Sequence, residues 1–200
     1  MVYTEDNWYE KPIRGIGVNM WAPEWYSASI TKFDADSLAR ALKDANATVG
    51  FTFQGFTQDH FGMNFHPTSL GPKHPNLGDR NHIAEFVKAM HKRNLRIFGY
   101  YSFPDRYVWE RNPDWRQLDR EGNEISHLNW GSLCPNSPYR DYLFERVKEI
   151  IELYPLDGFL MDTAGFSRNG CYCFYCRRKY NEVFGRGLPK GSVENTAEWK

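Results

Sequence analysis

The sequence predicts an α/β fold of the (β/α)8 TIM-barrel type, of which these 200 residues supply about the first four βα units. Three observations predict it. Strand-like and helix-like segments alternate strictly four times, the pattern of a parallel sheet with covering helices. The turns from helix to strand are short while the loops from strand to helix are long and polar, and barrels assemble their sites from the latter. The segment after the first strand, APEWYS, lacks the glycines with which a doubly wound sheet cradles a phosphate.

Each element has its own signal. Ile13–Trp21 is an apolar run broken by glycines and reads as the first strand. Asp34 or Asp36 can cap the helix that follows, with Leu38, Ala41, Leu42 and Ala45 at helical spacing. Ala47–Phe56 is β-branched and aromatic, a second strand. A loop rich in Gly, Pro and His covers Thr57 to about Leu77. Asp79 opens a second helix with Ile83, Phe86, Val87 and Met90 on one face, closing at His91, Lys92 and Arg93 where cations suit the helix dipole. Arg96–Phe103 is a third strand, followed by an irregular stretch to about Leu133. Ser137-Pro138 starts a third helix with Leu143, Val147, Ile150 and Ile151 inward. Asp157–Met161 is a fourth strand and Cys171–Phe184 a fourth helix. An eight-unit barrel takes about 250 residues. Residues 13–200 are therefore expected to be the N-terminal half of a barrel after an extension over 1–12, the ending GSVENTAEWK reading as a cut within a longer protein.

Charge and composition narrow the function. Lys+Arg and Asp+Glu are both 25, and this zero balance argues against a nucleic-acid partner. There is no apolar run of membrane-spanning length, and the polar, acidic N-terminus lacks signal-peptide character, so a cytoplasmic location is expected. Aromatic residues make up 16% of a chain with a mean hydropathy of −0.67, a mixture that suits sugar or planar-ligand surfaces.

Two features carry chemistry. Cys134 stands alone, while Cys171, Cys173 and Cys176 crowd into CYCFYC; four thiolates can close around a structural zinc ion. Free buried thiols and an iron–sulfur cluster are the other readings of the same residues. Asp162 directly follows an apolar strand, where a barrel places catalytic groups; capping of the next helix or pairing with a buried Arg are the bland roles for it. Around it, Asn19 and Trp21 share one face at the end of strand one, and Tyr101 is nearer the end of strand three than Tyr100. His74 could reach the same cavity or lock its loop, and Trp130 could wall a subsite. His66, His82, His91 and His127 read as structural or solvent-facing.

The segments RGIGVNMW, HFGMNFHPTSLGPKHPNL, LCPNSPYRDYLFERVKEIIELYPLDGFLMD and CYCFYCRRKY together resemble the hypothetical glycosyl hydrolase 6 family, over Ile13 to Phe184. The resemblance implies a β/α-barrel glycoside hydrolase acting on a carbohydrate substrate, with a trimerisation-type domain in many parents and hence a trimer of the full-length protein. The cysteine segments are similar to those of family 42 β-galactosidases, which implies that Cys134, Cys171, Cys173 and Cys176 hold zinc, with no organic cofactor. In those enzymes an Asn-Glu pair carries the acid/base nine residues before the first Cys of the triplet. Asp162 occupies that place, preceded by Met161 instead of Asn. In family 29 α-L-fucosidases the Asp that ends strand four is the nucleophile, and the resemblance favours that role for Asp162. Asp59 and His60, in TQDHFG, resemble the fucosidases' His-rich sugar-binding turn, imidazole being able both to donate to and accept from hydroxyls. A fucosidase- or galactosidase-like retaining hydrolase is thus expected, the alternative being a non-catalytic carbohydrate-binding barrel with a structural zinc. Retaining hydrolysis needs a second carboxylate. Only Asp105 and Glu110 offer weak candidates, so the 200-residue chain alone is expected to be inactive.

Overall fold

The computed structural model describes residues 7–19, 25, 27–53, 61–126, 130–163 and 170–189. Four strands, β1 (Gly15–Asn19), β2 (Val49–Phe53), β3 (Arg96–Ser102) and β4 (Gly158–Asp162), form one parallel sheet in the order β1-β2-β3-β4. Strand order follows chain order because each strand is returned to its neighbour by a covering helix. The helices are α1 (Ala28–Thr31), α2 (Ala35–Asp44), α3 (His82–His91), α4 (Arg106–Arg111), α5 (Tyr139–Leu153) and α6 (Phe174–Phe184). The four alternating units of the sequence are present. The stretch expected to be irregular after β3 also contains α4 and a 3-10 turn over Pro113–Trp115. Among the described residues no helix is long and apolar enough to cross a membrane.

The helix starts and stops are local chemistry. Asp34 caps α2 by accepting from Ser37 N at 3.0 Å, and Asn81 caps α3 by accepting from Ala84 N at 3.0 Å. Both helices end on an asparagine in the left-handed region, Asn46 at φ 56° and Asn94 at φ 55°. The next residue then bonds back across the last turn, Ala47 N to Leu42 O at 3.0 Å and Leu95 N to Met90 O at 3.1 Å. These two matching C-caps make the short helix-to-strand turns.

Strand register sorts the side chains. Ile16, Val18, Ile97 and Tyr101 face the helices, where Ala39, Leu42, Ile83, Phe86, Val87, Met90, Leu143 and Ile150 complete the core. Gly50 belongs to this face, and a Cβ there would lie 2.5 Å from Met90 Cε. Ile150 is inward as expected, but Ile151 is 39% exposed, one step of 100° away on the helix. The opposite face carries Phe51, Phe98, Tyr100, Ser102, Leu160 and Asp162. Near its N-terminal end, Trp8 packs edge-on against Phe98 with ring centroids 5.8 Å apart, so this part of the expected 1–12 extension lies against the sheet.

A polar stripe on α5 fixes the loop between β2 and α3. Arg146, 1% exposed, donates to Asp105 Oδ2 at 2.8 Å, to Tyr142 OH at 3.2 Å and to Asn64 Oδ1. Asn64 in turn donates to the carbonyls of Leu70 and Pro72. One turn further along, Glu149 accepts from Thr68 Oγ1 at 2.6 Å and from His66 Nε2 at 3.3 Å. Gly71, at φ 88°, lets the loop lie against the helix, where a Cβ would sit 2.7 Å from Tyr142 OH. Asp105 also caps α4 through Val108 N at 2.9 Å, so the one guanidinium ties the feet of the loops after β2 and β3 together.

Candidate active site and cysteine centre

Asp162 is the last residue of β4, paired in register with Ser102, and its carbonyl accepts from Phe103 N at 3.1 Å. This pairing fixes its backbone against β3. The very next residue, Thr163, takes φ 52°, so the chain leaves the sheet abruptly just past the carboxylate. Tyr100, fully buried on the same face of β3, donates its hydroxyl to Asp162 Oδ2 at 2.5 Å. The bond sets the orientation of the carboxylate. It holds one oxygen of a half-buried carboxylate at the C-terminal edge of a parallel sheet, the edge at which α/β proteins assemble ligand sites.

The structure corrects the choice between the two adjacent tyrosines. Tyr101 faces the helices and is fully buried in the core, its ring 5.7 Å from the Arg146 guanidinium and its hydroxyl without a hydrogen-bond partner. Burial pushes its phenol well above the ordinary value. It faces away from Asp162; Tyr100 is the tyrosine that bonds the carboxylate.

The remaining expected residues divide. Asn19 ends β1, exposed and on the Asp162 face, three strands away. Strand spacing puts their backbones roughly 14 Å apart. His74 is fully buried inside its loop, where Nδ1 accepts from Asn76 N at 3.2 Å and the ring stacks on Phe65. Of the two roles open to it, it takes the locking one. Trp130 is half-buried beside Gly131, at φ 74°, where the chain passes too close to the Trp109 ring for any Cβ. Trp21, Asp59 and His60 lie outside the described residues. Of the two weak carboxylate candidates, Asp105 is buried against Arg146 and Glu110 pairs with Arg106 on α4 at 2.7 Å. Neither is beside Asp162.

The four cysteines converge as expected. Cys134 enters the cluster from the turn before α5, Cys171 and Cys173 from the loop after β4, and Cys176 from the first turn of α6. All four are buried, with exposures of 0, 7, 2 and 8%, and their sulfurs lie within 4.8 Å of one another. Cys134 Sγ and Cys176 Sγ are 3.3 Å apart. Asn136 donates to both of those sulfurs, from its main chain to Cys134 and from its side chain to Cys176, each at 3.4 Å. Sequence reasoning did not single it out. Cys171 is lowered to about 7, first by its hydrogen bond with Cys134, and Cys173 is lowered as well, again chiefly by Cys134. Cys134 is raised by the same contacts. Such a cluster shares its protons unevenly, and sulfurs that shed protons readily are the ones that bind cations. Buried and close-set, the four are compatible with a metal site. Leu118 packs on the cluster, and Tyr172 N bonds Leu118 O at 2.8 Å, so it joins the loop after β3 to the loop after β4.

Comparison with known proteins bears on the fold. Among solved structures, an α-L-fucosidase isoenzyme 2 from Paenibacillus thiaminolyticus superposes with a TM-score of 0.75 at 21% identity, over 86% of this chain and 26% of that one. A hypothetical protein from Ruminiclostridium thermocellum gives 0.60 at 15% identity, over 88% of this chain and 93% of that one. An α-fucosidase from Thermotoga maritima gives 0.55 at 20% identity, over 78% and 46%. At these identities the likeness is one of fold, and the chain spans about a quarter of the Paenibacillus enzyme's length. No curated protein matches the chain. The model of one family matches residues 34–163, a span from the cap of α2 to just past Asp162, and the chain thus belongs to the hypothetical glycosyl hydrolase 6 family.

Proposed function

We propose that this chain is the first half of a β/α-barrel catalytic domain of a retaining glycoside hydrolase, with Asp162 as its nucleophile and α-L-fucosides or β-galactosides as its substrate class. The observation that carries the reading is the Tyr100–Asp162 bond at the C-terminal edge of the sheet. A nucleophilic carboxylate has to be held in one orientation, and a phenolic donor on one of its oxygens supports that. In the retaining mechanism Asp162 attacks the anomeric carbon as the glycosidic C–O bond breaks. A carboxylic acid about 5–5.5 Å away gives the leaving oxygen its proton, then takes one from water in the second step. That second carboxylate would come from residues beyond the four units. Asn19, and Trp21, Asp59, His60 and Trp130 with it, would line the sugar site, their hydroxyl-bonding and stacking groups being suited to a ring with many OH groups.

The four cysteines would hold a structural zinc. Zinc–sulfur bonds of about 2.3 Å place the sulfurs of a tetrahedral site about 3.8 Å apart. The observed sulfurs, within 4.8 Å of one another and 3.3 Å apart at Cys134–Cys176, bracket that spacing. With four thiolates and no open position, the ion would fasten loops and leave the reaction to the carboxylates.

The test is turnover of aryl α-L-fucosides and aryl β-galactosides by the protein carrying the complete domain. Asp162→Asn should abolish it, and Asp162→Gly with added azide should regain turnover with a glycosyl azide as product. Undiminished activity of the Asn variant sinks the assignment. Sugar binding by the wild type without any turnover favours the non-catalytic carbohydrate-binding alternative.

A further inference from the structure

A four-thiolate centre around a divalent cation carries net negative charge, and burial removes the water that would otherwise stabilise it. N–H groups aimed at the sulfurs can take the place of that water. The main chain supplies them at three of the four cysteines. Asn136 N donates to Cys134 Sγ at 3.4 Å. The N–H groups of Cys173 and Cys176 approach the sulfurs of Cys171 and Cys173 in the same way. Cys176 is different, because it sits within α6. The N–H groups that follow it are committed to helix carbonyls, beginning with Arg177 N to Cys173 O at 3.0 Å. Its sulfur is served instead by a side chain, Asn136 Nδ2, at 3.4 Å.

Asn136 therefore touches both sulfurs of the Cys134–Cys176 pair, 3.3 Å apart and 42 residues apart in sequence. We propose that Asn136 is the positioning residue of the cysteine centre: its main-chain and side-chain N–H groups fix the Cys134–Cys176 edge and offset charge on both sulfurs, so that the chain retains a tetrahedral divalent cation. The inference rests on the zinc reading above and adds the residue that makes the site retentive. Partners of this outer kind typically change metal affinity 10–100-fold when removed.

Zinc-loaded wild type, Asn136→Asp and Asn136→Ala are mixed with excess chelator and the release of zinc is followed. The same three proteins loaded with cobalt(II) are read by their sulfur-to-metal charge-transfer band, on the folded, metal-bearing fraction isolated by gel filtration. Release should accelerate roughly 10–100-fold in both variants, more in Asp, which keeps the shape of Asn but sets a repelling charge against Cys176. A thiolate without its N–H donor gives up electron density more readily, so the cobalt band should move to longer wavelength. A merely structural role would speed release without moving the band. Release within about twofold of wild type, or an unmoved band, overturns the proposal and leaves the zinc reading standing. A wild-type chain that binds no zinc overturns both.

Discussion

Tyr100 and Tyr101 show how one residue of register decides which side chain reaches Asp162. Both are fully buried, they are adjacent in sequence, and they point to opposite faces of β3. Parallel strands covered on both sides have no polar alternation to mark which face is which, so RIFGYYSF alone cannot say which tyrosine meets the site. The pairing of Ser102 with Asp162 settles it in favour of Tyr100. Asp162, in contrast, was legible, because a carboxylate at the end of an apolar strand is conspicuous. Tyr100→Phe should lower kcat/KM about 10–100-fold in the protein with the complete domain, from the roughly 1.5–3 kcal/mol of a hydrogen bond to a charged group. His82 supplies a second prediction at this scale. It is fully buried, its ring centroid lies 4.3 Å from that of Phe33, and neither ring nitrogen closes a hydrogen bond, although the Ile30 backbone is near enough to favour the proton slightly. Burial, with the Arg80 charge adding to it, lowers the imidazole from 6.5 to about 4. The unfolded chain takes up this proton below about pH 6.5 while the folded chain still refuses it, so stability is complete above that pH and declines towards pH 4 by roughly 3 kcal/mol. Urea midpoints across this range should fall less steeply for His82→Phe; parallel curves would contradict it.

Helix α5 is the element whose role the sequence hides. Its apolar positions Leu143, Val147 and Ile150 identify the core face without difficulty. Tyr142, Arg146 and Glu149 look from the sequence like a solvated stripe, yet Arg146 is 1% exposed. What buries it is a loop some 80 positions earlier in the chain, and helical periodicity carries no information about contacts of that range. Arg146→Met should cost about 3–5 kcal/mol in chemical denaturation, since it leaves the Asp105 carboxylate buried without a cation. Adding Asp105→Asn should recover part of the loss. A cost below about 1 kcal/mol for the single variant would show that the pair carries little of the fold. The left-handed asparagines that stop α2 and α3 were present in the sequence as Asn46 and Asn94, but basic residues in the last turn are the louder signal there.

At the scale of the whole molecule, four βα units and a converging set of cysteines could both be read in advance, the first from alternation and the second from the count and spacing of thiols. The proposed sugar site could not, because its candidate residues are scattered over long loops and no sequence pattern says which of them meet. If a metal joins the loops after β3 and β4, chelation should raise hydrogen exchange in residues 116–134 and 171–189, with β1 to β3 protected as before. Uniform loss of protection would mean that the cluster supports the entire sheet. The loop after β2 is anchored differently, by side chains of a helix that does not adjoin it in sequence. An anchor at the foot frees the tip: new residues can be tried there, and new ligands selected, without reopening the core to mutation. A lineage built on this arrangement can diversify what it recognises while inheriting its scaffold unchanged.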